Sequence, residues 1–354
     1  MRVLAIDVGF GTSDILLHDD TRRGENQTHL VVPSGTQVVA AEIREATDRG
    51  LDIVMRGRLM GGGPCAKAMD RHLETGLRFY AEPDAARTFS DDLEEVASMG
   101  VLIVGAEEAA ELAASGAVEI RSGDVRRAAV EEALLLLGES APIDGWAVAV
   151  QDHGEAPRGV SDRVFRFEKL VQSLGRSRRL PDLFYAPEDV PPHFTRLRAA
   201  ADCVAGDAPV VVGDTGPSAL WGAALISPQP CLVINYGNGH TLMAVVRGDE
   251  IDGLFEHHTG QIDRERMAAY ITGFLSGRLK SEDVLADGGH GAVPLSVPVE
   301  EGTLDVLITG PNRGRFAGLV PREVEASIHG DMMLTGCYGL LEGFRAVTAG
   351  PEDR

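Results

Sequence analysis

Residues 3–17 read VLAIDVGFGTSDILL. Val3 to Ile6 is a short apolar run, β-branched at both ends, the pattern of a strand buried on both faces. Asp7 interrupts it with a charge, and Gly9 and Gly11 bracket Phe10 before Thr12, Ser13 and Asp14. Ile15 to Leu17 is apolar again, so the stretch reads as strand, polar glycine turn, strand. Glycines at such a turn permit positive φ and let backbone N–H groups approach an anion without interference from a Cβ. Thr12 and Ser13 add hydroxyl donors, and Asp7 stands where a carboxylate can hold a magnesium ion through its water shell. The competing reading is a tight hairpin without a ligand.

The same pattern recurs in PCLVINYGNGHTLMAVV, residues 230–246. Leu232 to Ile234 is the buried strand, Asn235 to Thr241 the polar turn, and Leu242 to Val246 the return. Before it lies APVVVGDTGPSALWGAAL, a strand followed by a helix that starts near Asp214 and Thr215. Ala219, Gly222, Ala223 and Ala224 let that helix lie close to a neighbour. A third feature, LDVLITGPNRGRF (304–316), is a buried strand running into Gly310, Pro311 and Asn312. HGDMMLTGCYGLLEGF (329–344) reads as a small-residue helix near the C-terminus.

Between the two turns the chain alternates strands and helices. Gly61, Gly62 and Gly63, ahead of Pro64, open a helix and offer a second anion nest or a closely packed βα corner. GWAVAVQDHG ends a strand in Gln151, Asp152 and His153, where open α/β sheets bind ligands. The segment from about 175 to 200, rich in Arg and Pro, reads as an irregular excursion.

A chain of 354 residues is long enough for two domains with an ample core. Its net charge of −21 argues against a nucleic-acid partner or an anionic membrane surface. Lys67, Lys169 and Lys280 are the only lysines, and none follows a glycine-rich loop, so there is no P-loop. Cys65, Cys203, Cys231 and Cys337 are widely separated and form no CxxC pair, which excludes a zinc knuckle or an iron–sulfur cradle by spacing. No apolar run is long enough to span a bilayer, and the N-terminus lacks the order of a signal peptide. The expected compartment is the cytoplasm.

Two strand–glycine-turn–strand motifs, each opening one half of the chain, resemble the paired phosphate motifs of the actin, sugar-kinase and DnaK-type chaperone superfamily. DVGFGTSD is similar to the first motif. NYGNGHT resembles the second, with Asn235 where most members carry an aspartate. GDTGPSALWGAAL resembles the helix crossing between domains, and the C-terminal helix the second crossing. ITGPN resembles the adenosine motif, with Pro311 in place of a usual glycine. Within the superfamily, MGGGPCAKAMDRHLETGL, AVQDHG, FEHHTG and HGDMMLTG look like an archaeal and bacterial family without an assigned function, whose members carry the label of pyruvate formate-lyase activating enzyme. That label implies radical chemistry on S-adenosylmethionine, which needs a CxxxCxxC site that these four cysteines do not supply.

The resemblance implies an α/β fold with two RNase H-like (actin-like ATPase) domains around a central nucleotide cleft. Residues 1–210 are expected to form the first domain, with an insertion in its second half. Residues 211–354 form the second, its last helix packing back toward the first. ATP would be held by Gly9, Gly11, Thr12, Ser13 and Asp14, by Gly237, Asn238, Gly239, His240 and Thr241, and by Gly310, Pro311 and Asn312. Asp7 would anchor Mg²⁺, Asp214, standing where several relatives place a glutamate or glutamine that orients the attacking water, would orient the nucleophile unless it is simply a helix N-cap, and Asn235 would keep a positioning role. The expected function is an ATPase or phosphotransferase acting on a small molecule or a partner protein. One alternative is a nucleotide-dependent switch or assembly protein with little turnover.

The histidines add another alternative. Asp152 and His153, together with the adjacent His257 and His258, offer a cluster that could hold a transition metal or move protons, as in a metal-dependent hydrolase. Successive residues of an extended stretch point to opposite sides, so His257 and His258 should not both face one ligand.

Overall fold

The computed structural model describes residues 1–175 and 178–349. Residues 350–354 of the expected second domain, and residues 176 and 177 of the stretch expected to be irregular, lie outside the described residues. The strands are β1 (Arg2–Val8), β2 (Thr12–Asp19), β3 (Thr28–Pro33), β4 (Ile53–Gly57), β5 (Phe79–Ala81), β6 (Leu102–Ile103), β7 (Val118–Ser122) and β8 (Gly145–Val150). They continue with β9 (Phe184–Tyr185), β10 (Val210–Gly213), β11 (Cys231–Tyr236), β12 (His240–Arg247), β13 (Glu250–His258), β14 (Gly291–Val293), β15 (Asp305–Thr309) and β16 (Glu323–Glu325).

The first sheet has the order β3-β2-β1-β8-β10-β9, the second β14-β13-β12-β11-β15-β16. In the first, β1, β2 and β3 form an antiparallel meander, and β8 and β10 continue parallel on the far side of β1. In the second, β11, β12 and β13 form the meander, and β15 and β16 continue parallel on the far side of β11. Apart from the edge strands β9 and β14, the two sheets share one topology. These are the two RNase H-like units of an α/β fold, and each opens with one of the two glycine turns.

β1 is buried on both faces because it lies in the middle of its sheet. Val3 and Ala5 join the central core with Leu220, Cys337, Leu340 and Phe344, while Leu4, Ile6 and Val8 meet Trp146, Leu197, Ala200 and Val204 on the opposite side. The second sheet does the same. Val233 and Ala244 face the central core, and Leu232, Ile234 and Met243 pack on Met267, Ile271 and Phe274. The central core is therefore common to both sheets.

Two helices run through it, Thr215–Ala224 and Thr335–Thr348. A Cβ at Gly222 would stand 1.8 Å from the Thr335 carbonyl oxygen, and one at Gly339 would stand 1.9 Å from that of Ser218. Glycine at both positions is what lets the backbones touch. The C-terminal helix also lies on the first sheet, where the Cys337 thiol donates to the Asp14 carbonyl at 3.1 Å.

The insertion is not where the sequence pattern suggested. β4 to β7 form a separate parallel sheet of order β6-β5-β4-β7, spanning residues 53–122 between β3 and β8, ahead of the second half of the first unit. It has a core of its own around Val39, Ile43, Ile53, Met55, Phe79 and Ile120. Locally its βα alternation looks like a continuation of the first sheet, and only pairing sets it apart. The stretch after residue 178 holds the helix Thr195–Cys203 and the short edge strand β9.

Candidate functional site

The two glycine turns close in the same way. Gly9 N–H donates to the Thr12 carbonyl at 2.8 Å, and Gly237 N–H donates to the His240 carbonyl at 2.9 Å. They face each other closely, for a Cβ on Gly11 would stand 3.3 Å from Asn238 Nδ2. Between them lies a cleft of about 110 Å³. Asp7, Gly9, Thr12 and Asp14 line it from the first unit, and Asn235, Gly237, Asn238, Gly239, His240, Gly310 and Pro311 from the second.

The remaining expected residues sit behind this wall. Ser13 and Thr241 are buried, and the Thr241 hydroxyl lies 3.0 Å from that of Thr259. Asn312 braces the second turn, its Nδ2 donating to the Gly237 carbonyl at 3.0 Å.

Asp7 and Asp14 stand directly opposite each other on β1 and β2. One oxygen of each, Asp7 Oδ1 and Asp14 Oδ1, is buried without a hydrogen-bond partner. Burial, then the Asp14 and Asp214 charges, raises the Asp7 carboxyl well above the usual range. Burial likewise pushes Asp14 up to about 7, with Asp331 adding to it and the Thr12 hydroxyl opposing. Two carboxylates held together with unmet lone pairs are a site for a shared proton or a hard cation.

Asp214 has a different environment. Its Oδ1 accepts from Gly216 N–H and Arg166 Nη2, both at 3.0 Å, and its Oδ2 accepts from Arg166 Nη1 at 2.6 Å and Asp152 N–H at 3.2 Å. A carboxylate offers about four lone-pair positions, and all are taken. Burial acts to raise its pKa, but Arg166 and the backbone donors outweigh it and hold Asp214 below the usual carboxylate range. It caps the helix Thr215–Ala224 and anchors Arg166, so the expected role in orienting a nucleophile does not fit this geometry.

Arg166 is not among the site residues expected from the sequence. It is 1 % exposed, on the helix Asp162–Leu174. Besides Asp214 it binds the Asp152 carbonyl at 2.7 Å and Glu256 Oε1 at 3.0 Å, so it joins the two sheets. Its neighbours Phe165 and Phe167 were the only local sign that this stretch is buried.

The histidines converge in part. His153, at the end of β8, has its ring 5.9 Å from His240 and 6.5 Å from His290. His240 and His258 are register partners on β12 and β13, with ring centroids 4.7 Å apart, and His258 lies 4.6 Å from His290. His257 points the other way, with Nε2 3.6 Å from Asp287 Oδ2 and its ring near Tyr270. Asp152 does not face the rings, because its oxygens accept from Gly154 and Leu197 N–H groups at 2.7 and 2.8 Å. His240 and His290 take the places expected of Asp152 and His257. Strand alternation could exclude one of the adjacent pair, but it could not reveal His290, whose only local sign is the glycine on either side.

Gln151 connects the parts. It lines the cleft, and its Oε1 lies 2.7 Å from His240 Nδ1 across the gap between sheets. A second cavity of about 740 Å³ adjoins the cleft and shares Gly9, Phe10, Gln151, Thr215, Gly239 and His240 with it. The Gly61–Gly63 loop forms part of its wall, as do His153 and His258.

A protein family described as "Putative pyruvate format-lyase activating enzyme (DUF1786)" matches residues 60–315. The chain belongs to this family. The matched span carries Gln151, His153, Arg166, Asp214, the second glycine turn, His258 and His290, but not the first turn. Comparison with curated proteins finds no match. Among solved structures, this family member is similar to an inorganic polyphosphate/ATP-glucomannokinase from Arthrobacter sp. strain KM, with 10% identity, 98% of each chain covered and a TM-score of 0.36. The ethanolamine utilization protein EutJ from Carboxydothermus hydrogenoformans shows 11% identity over 96% of this chain and 89% of its own, with a TM-score of 0.33. The apo psk41 parM protein shows 12% identity over 97% and 98%, with a TM-score of 0.31. The reading of the fold rests on the two strand orders. Among the described residues, no helix is long and apolar enough to cross a membrane.

Proposed function

We propose that the chain binds ATP with Mg²⁺ between its two glycine turns and acts as an ATPase or phosphotransferase. The observation that carries this reading is the pair of turns, identically closed and facing each other, with the unmet oxygens of Asp7 and Asp14 beside them. Those two carboxylates suit a hard divalent cation, and Mg²⁺ bound there would neutralise phosphate charge. The turns would place the phosphates, and residues 310–312 would bound the nucleoside.

The cleft of about 110 Å³ is well below the roughly 300–1,000 Å³ of typical ligand pockets. Nucleotide entry therefore requires the turns to separate at Gly11 and Asn238. With the Asp214 oxygens occupied, Gln151 is the residue placed to orient a water or hydroxyl nucleophile. The adjoining cavity of about 740 Å³ is the place for a small-molecule acceptor.

Calorimetry with ATP, with and without Mg²⁺, tests the site, and ADP release from the same sample tests turnover. Absence of ATP binding would remove the proposal. Asn235 and the saturated Asp214 favour one second reading, a nucleotide-dependent switch, which predicts tight binding without ADP release.

The activating-enzyme label is not adopted. Cys65 lies in the core of the inserted sheet, Cys231 and Cys337 in the central core, and Cys203 at the edge of a third core. Among the described residues no group of cysteines comes within reach of one metal ion, so these thiols do not fit an iron–sulfur cluster.

A further inference from the structure

His153, His240 and His290 each present a ring nitrogen, and these three atoms lie within 4.8 Å of one another. They come from different segments: the end of β8 in the first unit, the second glycine turn, and the residue before β14. His258 adds a fourth ring in contact with two of them. We propose that His153, His240 and His290 bind one divalent transition-metal ion, with His258 beside it, at the boundary between the nucleotide cleft and the larger cavity.

Three observations point to a ligand there. His290 is 1 % exposed and neither of its ring nitrogens has a partner, a costly arrangement unless something occupies the site. Among the described residues no carboxylate forms an ion pair with these rings, since Asp152 is turned to backbone donors and Asp287 pairs with His257. Finally, His240 Nδ1 lies 2.7 Å from Gln151 Oε1. With the proton on Nδ1, that hydrogen bond leaves the Nε2 lone pair for a metal, the usual outer support of a ligating histidine. The Gln151 amide nitrogen, 3.2 Å from that Nε2, would move aside.

Tetrahedral zinc with bonds of about 2.0–2.1 Å needs nitrogens roughly 3.4 Å apart. The present spacing calls for modest side-chain closure. An all-imidazole set suits zinc, copper, nickel, cobalt or iron rather than magnesium or calcium, so this site differs in kind from the Asp7–Asp14 pair. His153, His240 and His258 also line the larger cavity. A coordination position left open on that side would let the ion polarise an oxygen of a bound substrate or generate a hydroxide from water.

The test is zinc titration by calorimetry of the full chain after chelation and dialysis, without nucleotide, so the result does not depend on the ATP reading. One zinc per chain is expected. His290→Gln and His153→Gln should each weaken binding by roughly 100-fold, the upper end of what even outer-shell changes cause. His290 is buried and its variant can fail to fold, whereas His153 is exposed to the cavity, so His153→Gln decides. No zinc uptake by the wild-type chain overturns the site. So does wild-type affinity in a folded His153→Gln variant, which would place any bound zinc at other histidines.

Discussion

Arg166 grips Asp214 with two hydrogen bonds, Nη1 to Oδ2 at 2.6 Å and Nη2 to Oδ1 at 3.0 Å, while its Nε reaches Glu256 Oε1 at 3.0 Å. The guanidinium is buried, so its charge is stabilised chiefly by these two carboxylates. Asp214→Asn keeps the cap on Gly216 N–H but removes one of them. The expected cost is about 3 kcal/mol of stability, the lower part of the range for breaking a buried pair, measured by urea unfolding. Unchanged stability with turnover reduced roughly 100-fold would instead return Asp214 to the chemistry.

Gln151 is the contrasting position. Gln151→Ala should leave ATP affinity within a few-fold of wild type and lower ADP release by roughly 100-fold, as for loss of a group that positions the nucleophile. Single-turnover kinetics beside calorimetry separates the two effects. Equal turnover in the variant would take Gln151 out of the mechanism.

Gly11→Val places a branched side chain where a Cβ already meets Asn238 Nδ2 at 3.3 Å. It should put a side chain where the turn backbone must approach the phosphates, and so abolish measurable ATP binding in a folded protein. A folded variant that binds ATP normally would move the nucleotide elsewhere.

The Asp7–Asp14 pair gives a pH signature. Asp14 titrates at about 7 in the folded chain, raised by burial, against the usual 3.8. The native state therefore holds a proton that the unfolded chain has released between those values. Stability from this group is full below about 4 and is lost as pH rises through about 7. Asp14→Asn should flatten that part of the profile, read as unfolding midpoints from pH 5 to pH 8. Mg²⁺ competes with the proton, so cation affinity should rise over the same interval, and Asp7→Asn should weaken Mg²⁺-dependent ATP binding.

Gly339→Val tests the helix crossing. Its Cβ would stand 1.9 Å from the Ser218 carbonyl, a backbone atom that cannot swing aside. Overpacking of this kind costs about 1–3 kcal/mol or more, and thermal unfolding should report it. A variant as stable as wild type would show that the crossing tolerates a wider spacing.

By itself the sequence determined the two glycine turns, the strands around them and the small-residue faces of two helices. These are local patterns: apolar runs of strand length, glycines where backbone must approach, and helical spacing of Gly and Ala. The inserted sheet escaped that reading because β4 to β7 have the same local pattern as strands of the first sheet, and only hydrogen-bond pairing distinguishes them. Tertiary structure alone decided the roles of Asp214 and the histidines. Locally Asp214 reads as a nucleophile-orienting carboxylate or a helix N-cap, and only the distant helix that delivers Arg166 to it decides against the first. His153, His240, His258 and His290 belong to four separate segments, and His257 is excluded by the side of β13 it occupies. Convergence of this kind depends on how two sheets pack across a shared core, information that no contiguous stretch of residues carries.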